Sequence, residues 1–107
     1  VTGVRVVLIT APETAAERIA RNLLDGRLAA CVNMVPGIRS LYHWKGKVCD
    51  DVETLLIAKT TADQVENLIQ RVREIHPYSV PEVLVLPVES GAAAYLAWVA
   101  SETLDQG

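Results

Sequence analysis

Phenylalanine is absent from this chain, and its 107 residues hold only two Trp and three Tyr. A protein that reads single-stranded nucleic acid needs stacking aromatics on exposed strands, and the first strand-like run, Val4 to Thr10, has none. Clustered Lys and Arg are missing as well. The net charge is −3, so electrostatic capture of a phosphate backbone is excluded as a main activity. No apolar run approaches the roughly 18 residues that span a bilayer, and no signal-peptide pattern stands at the start. Cys31 and Cys49 are the only cysteines and form no C-x-x-C motif, which fits a reduced, cytoplasmic protein. Glycine-rich phosphate loops are lacking. No Ser-His-Asp or Cys-His arrangement emerges from spacing, so a non-enzyme is expected. Half of the residues are hydrophobic, which argues against disorder, and the length suits one domain over residues 1–107.

What is present is an unusually long strand. Leu28 to Trp44 reads as one extended arm, Lys45-Gly46-Lys47 as a tight turn, and Val48 to Thr60 as the return. At about 3.3 Å per residue the outgoing arm would reach on the order of 50 Å. A domain of this size has a radius of gyration near 13 Å and a diameter of roughly 35 Å. The hairpin outgrows its own domain. Its far end carries Leu41, Tyr42 and Trp44, which lose free energy in water, so these three residues are expected to be covered by another subunit. Pro36-Gly37 removes a ladder donor midway and predicts a bulge.

Around the hairpin, Val4 to Thr10 is β-branched enough for a central strand. Thr14-x-x-Glu17 predicts a capping box opening a helix whose face is Ala16, Ile19, Ala20, Leu23 and Leu24, with Gly26 as its C′ residue. Thr61-x-x-Gln64 predicts a second capping box before the stripe Val65, Leu68, Ile69, Val72 and Ile75, stopped at Pro77. Val83 to Val88 is a short strand, and Ser90 is expected to cap a last helix from Ala92 to about Leu104. The order β-α-β-β-α-β plus a terminal helix predicts an α+β, ferredoxin-like sandwich with an extended β2–β3 hairpin and an extra C-terminal helix. Right-handed crossovers place two helices on one face. That fold hosts many functions. The loop Thr10-Ala11-Pro12-Glu13 has no thiol, which removes a metallochaperone of this type.

The densest polar cluster is His76-Pro77-Tyr78-Ser79-Val80-Pro81-Glu82. A neutral imidazole with a carboxylate is a copper or zinc ligand set. The same segment also reads as a stiff crossover whose His caps a helix C-terminus. Cys31 reads as a buried, inert thiol or as a soft metal ligand, and Cys49 as the more oxidisable of the pair. Asp50, Asp51 and Glu53 read as a solvated edge or as weak oxygen ligands for a divalent cation.

The blocks Leu28-Ala-Ala-Cys-Val-Asn33, Pro36-Gly-Ile-Arg-Ser-Leu-Tyr-His-Trp-Lys-Gly-Lys47, Leu56-Ile-Ala-Lys-Thr60, His76-Pro-Tyr-Ser-Val-Pro-Glu82 and Tyr95-Leu-Ala-Trp98 occur in that order over nearly the whole chain. Together they resemble the CutA divalent-cation tolerance proteins. The resemblance implies a ferredoxin-like subunit assembled through its hairpins into a tight homotrimer, similar in architecture to the PII signalling proteins. It also implies a link to divalent-metal tolerance, copper above all. In members credited with copper ligation the suggested ligands are a Cys on the first strand and a His pair before Pro-Tyr. Here Ile9 and Ile75 stand at two of those positions and only His76 matches. The expected site is therefore a cleft between subunits. His76, Cys31 and Glu82 are its metal candidates, and Tyr78, Arg39 and Lys59 are its contacts to a small anionic effector. Copper or another divalent cation is the expected ligand, none being required for folding. The partners are sister subunits, not nucleic acid or a membrane. The alternatives are a trimeric scaffold or PII-like signalling module anchoring a partner protein with no metal bound directly, and an enzyme using Cys31 or His76.

Overall fold

The computed structural model describes residues 1–104. Its elements are β1 (Val4–Ala11), α1 (Glu13–Asp25), β2 (Cys31–Trp44), β3 (Lys47–Thr61), a 3-10 turn (Ala62–Gln64), α2 (Val65–Ile75), β4 (Val83–Pro87) and α3 (Ala93–Glu102). The four strands form one sheet in the order β2-β3-β1-β4, with every neighbour antiparallel. This is the expected α+β ferredoxin-like arrangement.

Strand alternation divides the sheet into two faces. Val7, Ile9 and Ala11 of β1 and Leu56 and Ala58 of β3 pack with Ile19, Leu23, Leu68 and Val72 of α1 and α2 into the main core. The opposite face carries Val6 and Leu8 of β1, Leu55 and Ile57 of β3, and Leu84 and Leu86 of β4. Leu84 and Leu86 are exposed. At one end of this second face α3 lies over the sheet. Val99 is fully buried there, and Thr103 Oγ1 stands 3.5 Å from Thr61 Oγ1.

β1 pairs with β3 only from Thr54 to Thr61. Residues 47–53 of β3 therefore pair with β2 alone, and the outer hairpin leaves the sheet as a two-stranded ribbon. Lys45 (φ 52°) and Gly46 (φ 78°) make its turn, the pair of positive φ values that matches strand twist in a two-residue hairpin loop. The bulge falls where Pro36-Gly37 predicts it, as a register shift between Val35 and Ile38, with Gly37 at φ 71°. The ribbon is shorter than the residue count suggested. The whole molecule measures 44 Å along its longest axis. Bulge and twist shorten the arm, and Leu28 to Ala30 are not part of β2. The Leu28 and Ala29 amides donate to Leu23 O at 2.9 and 3.3 Å and so finish α1.

The local caps differ from the sequence expectation. α1 starts one residue before Thr14, with Pro12 at its N-cap and no side-chain cap bond. The Pro12 carbonyl takes the Ala15 and Ala16 amides at 2.9 and 3.1 Å, since Pro12 already holds φ near the helical value. The left-handed residue after α1 is Arg27 (φ 57°), while Gly26 has φ −84°. The Arg27 guanidinium is drawn to Glu102 at 2.9 Å. Thr61 makes no cap bond, because it faces Thr103, and the Gln64 amide donates to Thr103 O at 2.9 Å. Both side chains tie α3 down instead. Ala92, not Ser90, precedes α3 as its N-cap. Among the described residues no helix is long and apolar enough to cross a membrane.

Candidate functional site

A recess of about 610 Å³ opens between the ribbon and the crossover from α2 to β4. Arg39, Tyr42 and Trp44 of β2, Glu53 of β3, and Tyr78 and Glu82 of the crossover line it. Pro77 and Pro81 hold the crossover away from helical geometry, and the inward side of the ribbon supplies the facing wall.

His76 anchors the crossover. Its Nε2 donates to Thr10 O at 2.8 Å, and its Nδ1 accepts the Tyr78 amide at 3.1 Å. An amide nitrogen can only donate, so Nδ1 is the acceptor and the proton sits on Nε2. The ring is buried and lies 4.8 Å from the Tyr78 ring. The Tyr78 hydroxyl then donates to Glu53 Oε2 at 2.9 Å. Burial, and after it the Glu53 hydrogen bond and charge, push the Tyr78 phenol up to about 12. Along the ribbon, Arg39 holds both carboxylate oxygens of Asp50, Nε at 2.9 Å and Nη2 at 2.6 Å. This hydrogen bond raises the Arg39 value and lowers that of Asp50. The Tyr42 hydroxyl donates to Asp51, which lifts its phenol strongly.

A second polar group lies elsewhere. Cys31 pairs across the sheet with Lys59, whose Nζ stands 3.8 Å from the thiol and also bonds Asn33 Oδ1. Tyr95 of α3 reaches the same thiol, and burial with the Cys31 contact raises its phenol.

The sequence candidates thus separate. Arg39, Tyr78 and Glu82 converge on the recess, together with the hairpin residues Leu41, Tyr42 and Trp44. Cys31 and Lys59 do not line it. The residues do not fit a resident metal ion within one chain. An imidazole binds a metal through a free lone pair, and His76 has none: Nδ1 is engaged by Tyr78, and Nε2 carries its proton to Thr10. Among the described residues no group of three His, Cys, Asp or Glu is placed to hold a metal. Ile9 is fully buried and Ile75 packs against the same core. Asp50 and Asp51 are engaged by Arg39 and Tyr42 rather than gathered as oxygen ligands. Both cysteines are free thiols and half-buried. Sequence reasoning read Glu53 only as part of an acidic run and did not single it out as the partner of Tyr78 in the recess. Glu53 is 5% exposed, and its only textual signal is that it shares a strand side with Asp51.

The three tyrosines give a pH prediction. Tyr42, Tyr78 and Tyr95 are all raised, so ultraviolet titration of the folded protein should place its phenolate waves above the ordinary value of about 10, with Tyr42 and Tyr78 well above it. A raised phenol favours the folded state below the unfolded value, and that contribution is lost as pH climbs through the folded one. For Tyr78 this window runs from about 10 to about 12. A full tyrosine wave centred at the ordinary value in folded protein would refute the network.

The chain matches the family described as CutA1 divalent ion tolerance protein over residues 5–102. It is 50% identical over 99 residues to the divalent-cation tolerance protein CutA of Thermus thermophilus, covering 92% of this chain and 96% of that protein. It is 48% identical over 102 residues to human protein CutA, covering 94% of this chain but 57% of the human protein. In three dimensions it superposes on the apo form of the PII-like protein CutA from Nostoc with a TM-score of 0.89 and 38% identity, over 94% of this chain and 97% of that one. The names of other relatives place a rice protein in the chloroplast and an Archaeoglobus protein in the periplasm. By the family match over residues 5–102 and these identities, the chain belongs to the CutA1 divalent ion tolerance protein family.

Proposed function

We propose that this chain works without catalysis, as a homotrimer that captures a small ligand in the recess and so takes part in tolerance of divalent cations, copper among them. The observation that supports it is the uncovered apolar surface. Leu41, Trp44 and Val48 on the ribbon are 64%, 45% and 68% exposed, and Leu84 on the open sheet face is 55% exposed. Such surface calls for sister chains, and the number three follows from the resemblance. Three-fold symmetry repeats the recess three times. Two free cysteines suit the cytoplasm proposed for it.

A second reading has its own support. The engagement of both His76 nitrogens favours a PII-like signalling trimer or scaffold that anchors a partner protein and binds no metal directly. In either case copper is the stress that is answered rather than a resident group. Sedimentation at micromolar protein should give three times the chain mass. Calorimetry with copper and zinc should show no uptake that depends on His76. A solitary, well-folded protomer would remove the assembly, and tight copper uptake abolished by His76→Ala would restore a metal site.

A further inference from the structure

Glu53 is the unusual group in the recess. The residue is only 5% exposed, and one neutral donor, the Tyr78 hydroxyl, reaches its Oε2. Among the described residues no donor reaches Oε1, and that oxygen is not fully enclosed. A carboxylate withdrawn from water is costly unless a positive charge meets it, and among the described residues no Lys, Arg or His forms an ion pair with Glu53. Arg39, the cationic residue among the described lining residues, is held by Asp50 through two hydrogen bonds. Glu82, on the rim, brings a second carboxylate with no cation. The recess is therefore negative where a ligand would sit, which disfavours an anionic effector.

Its walls disfavour a bare metal ion as well. Calcium-like ions require six or more converging oxygens, whereas Tyr42, Trp44 and Tyr78 present three half-exposed rings. Ring faces attract ammonium groups. Lys45 Nζ, on the next residue of the turn, stands 6.0 Å from the Trp44 ring centroid, at the outer edge of such a contact. The volume of about 610 Å³ lies within the usual range of small-molecule sites.

We infer that the recess binds a small organic cation, an alkylammonium compound whose charge is met by Glu53 and Glu82 and whose carbon groups lie against Tyr42, Trp44 and Tyr78. This rests on the proposed reading of the recess as the ligand site.

The test follows the Trp44 indole signal by heteronuclear NMR in the full chain, with Trp98→Phe assigning the two indoles. The probes are tetramethylammonium, butylammonium, the neutral isostere tert-butanol, inorganic phosphate and cupric ion. The ammonium probes should shift Trp44 saturably, tert-butanol should need at least about tenfold more, and phosphate should do nothing. Glu53→Gln, checked for folding by its melting curve, should weaken the ammonium probes about tenfold or more. Exposed Glu82→Gln should weaken them by about threefold, and it carries the test if Glu53→Gln fails to fold. Equal binding of tert-butanol, or unchanged ammonium affinity in a folded charge-removing variant, overturns the inference. Saturation by phosphate or cupric ion in place of the ammonium probes overturns the charge assignment and leaves the recess a ligand site. No response to any probe removes both.

Discussion

Trp44→Asp should convert the proposed trimer into protomers while leaving the subunit folded. Covering the part of the indole that lies outside the recess is worth about 1–2 kcal/mol, and a carboxylate placed in the same contact adds a desolvation penalty of similar or greater size. At about 3 kcal/mol per copy, three copies lose about 9 kcal/mol of association free energy, roughly six powers of ten in the equilibrium constant. The isolated fold should barely register the change. Trp44 stands at the ribbon tip opposite Lys47 and takes no part in the core around Ile9, Leu23 and Leu56. Sedimentation velocity should show one third of the parental mass with an unchanged circular dichroism spectrum. A trimer that survives the substitution at low micromolar protein would contradict the proposed assembly through the ribbon.

Ile9→Ala should do the reverse, damaging the subunit itself. Ile9 is fully buried on the middle of β1, which is paired on both sides, with Leu56 opposite on β3 and Val83 opposite on β4. Removing its outer atoms leaves a cavity that a strand held on two sides cannot close. The expected loss is about 3–4 kcal/mol, a fall in Tm of roughly 12–30 °C for a chain of this size. Ile9→Val should cost about 1 kcal/mol. Parent and variants must be compared at one protomer concentration, because assembly couples to stability. A loss below 1 kcal/mol for Ile9→Ala would mean that this core is not close-packed. The resemblance had set a copper-ligating thiol at this position, and in this chain the position serves packing.

Much of the fold was legible because it rests on long periodic signals. Alternation over Cys31–Trp44 and Lys47–Thr61, the Lys45-Gly46 turn and the Pro36-Gly37 interruption each have one physical meaning. The helix caps were not legible, because Thr14, Thr61 and Gln64 carry groups that serve a cap or a tertiary contact equally well, and distant Thr103 decides the matter for two of them. The site was half legible. The crossover announced itself through its prolines, His76 and Glu82. Glu53 did not, since Asp50, Asp51 and Glu53 look alike in sequence, and only the arrival of Tyr78 from 25 residues away distinguishes one of them. Cys31 and Lys59 lie outside the recess because of distance along the strands. Measured from the turn, an unbroken ladder would set Cys31 against Thr60. The bulge slips the inner half by one residue and sets it against Lys59, on the sheet face of Glu53 but six residues along β3 from it, so both lie away from the recess.

The turn at Lys45-Gly46 also bears on the order in which this protein is made. Every rung of the ribbon joins residues that are near neighbours along the chain, from Trp44 with Lys47 outward, so it can zip within microseconds of leaving the ribosome. β1 must wait for β4, which arrives some 80 residues later, Arg5 meeting Pro87, and such distant closures are slow. The arm proposed to grasp sister chains can thus form its rungs before the body it belongs to closes.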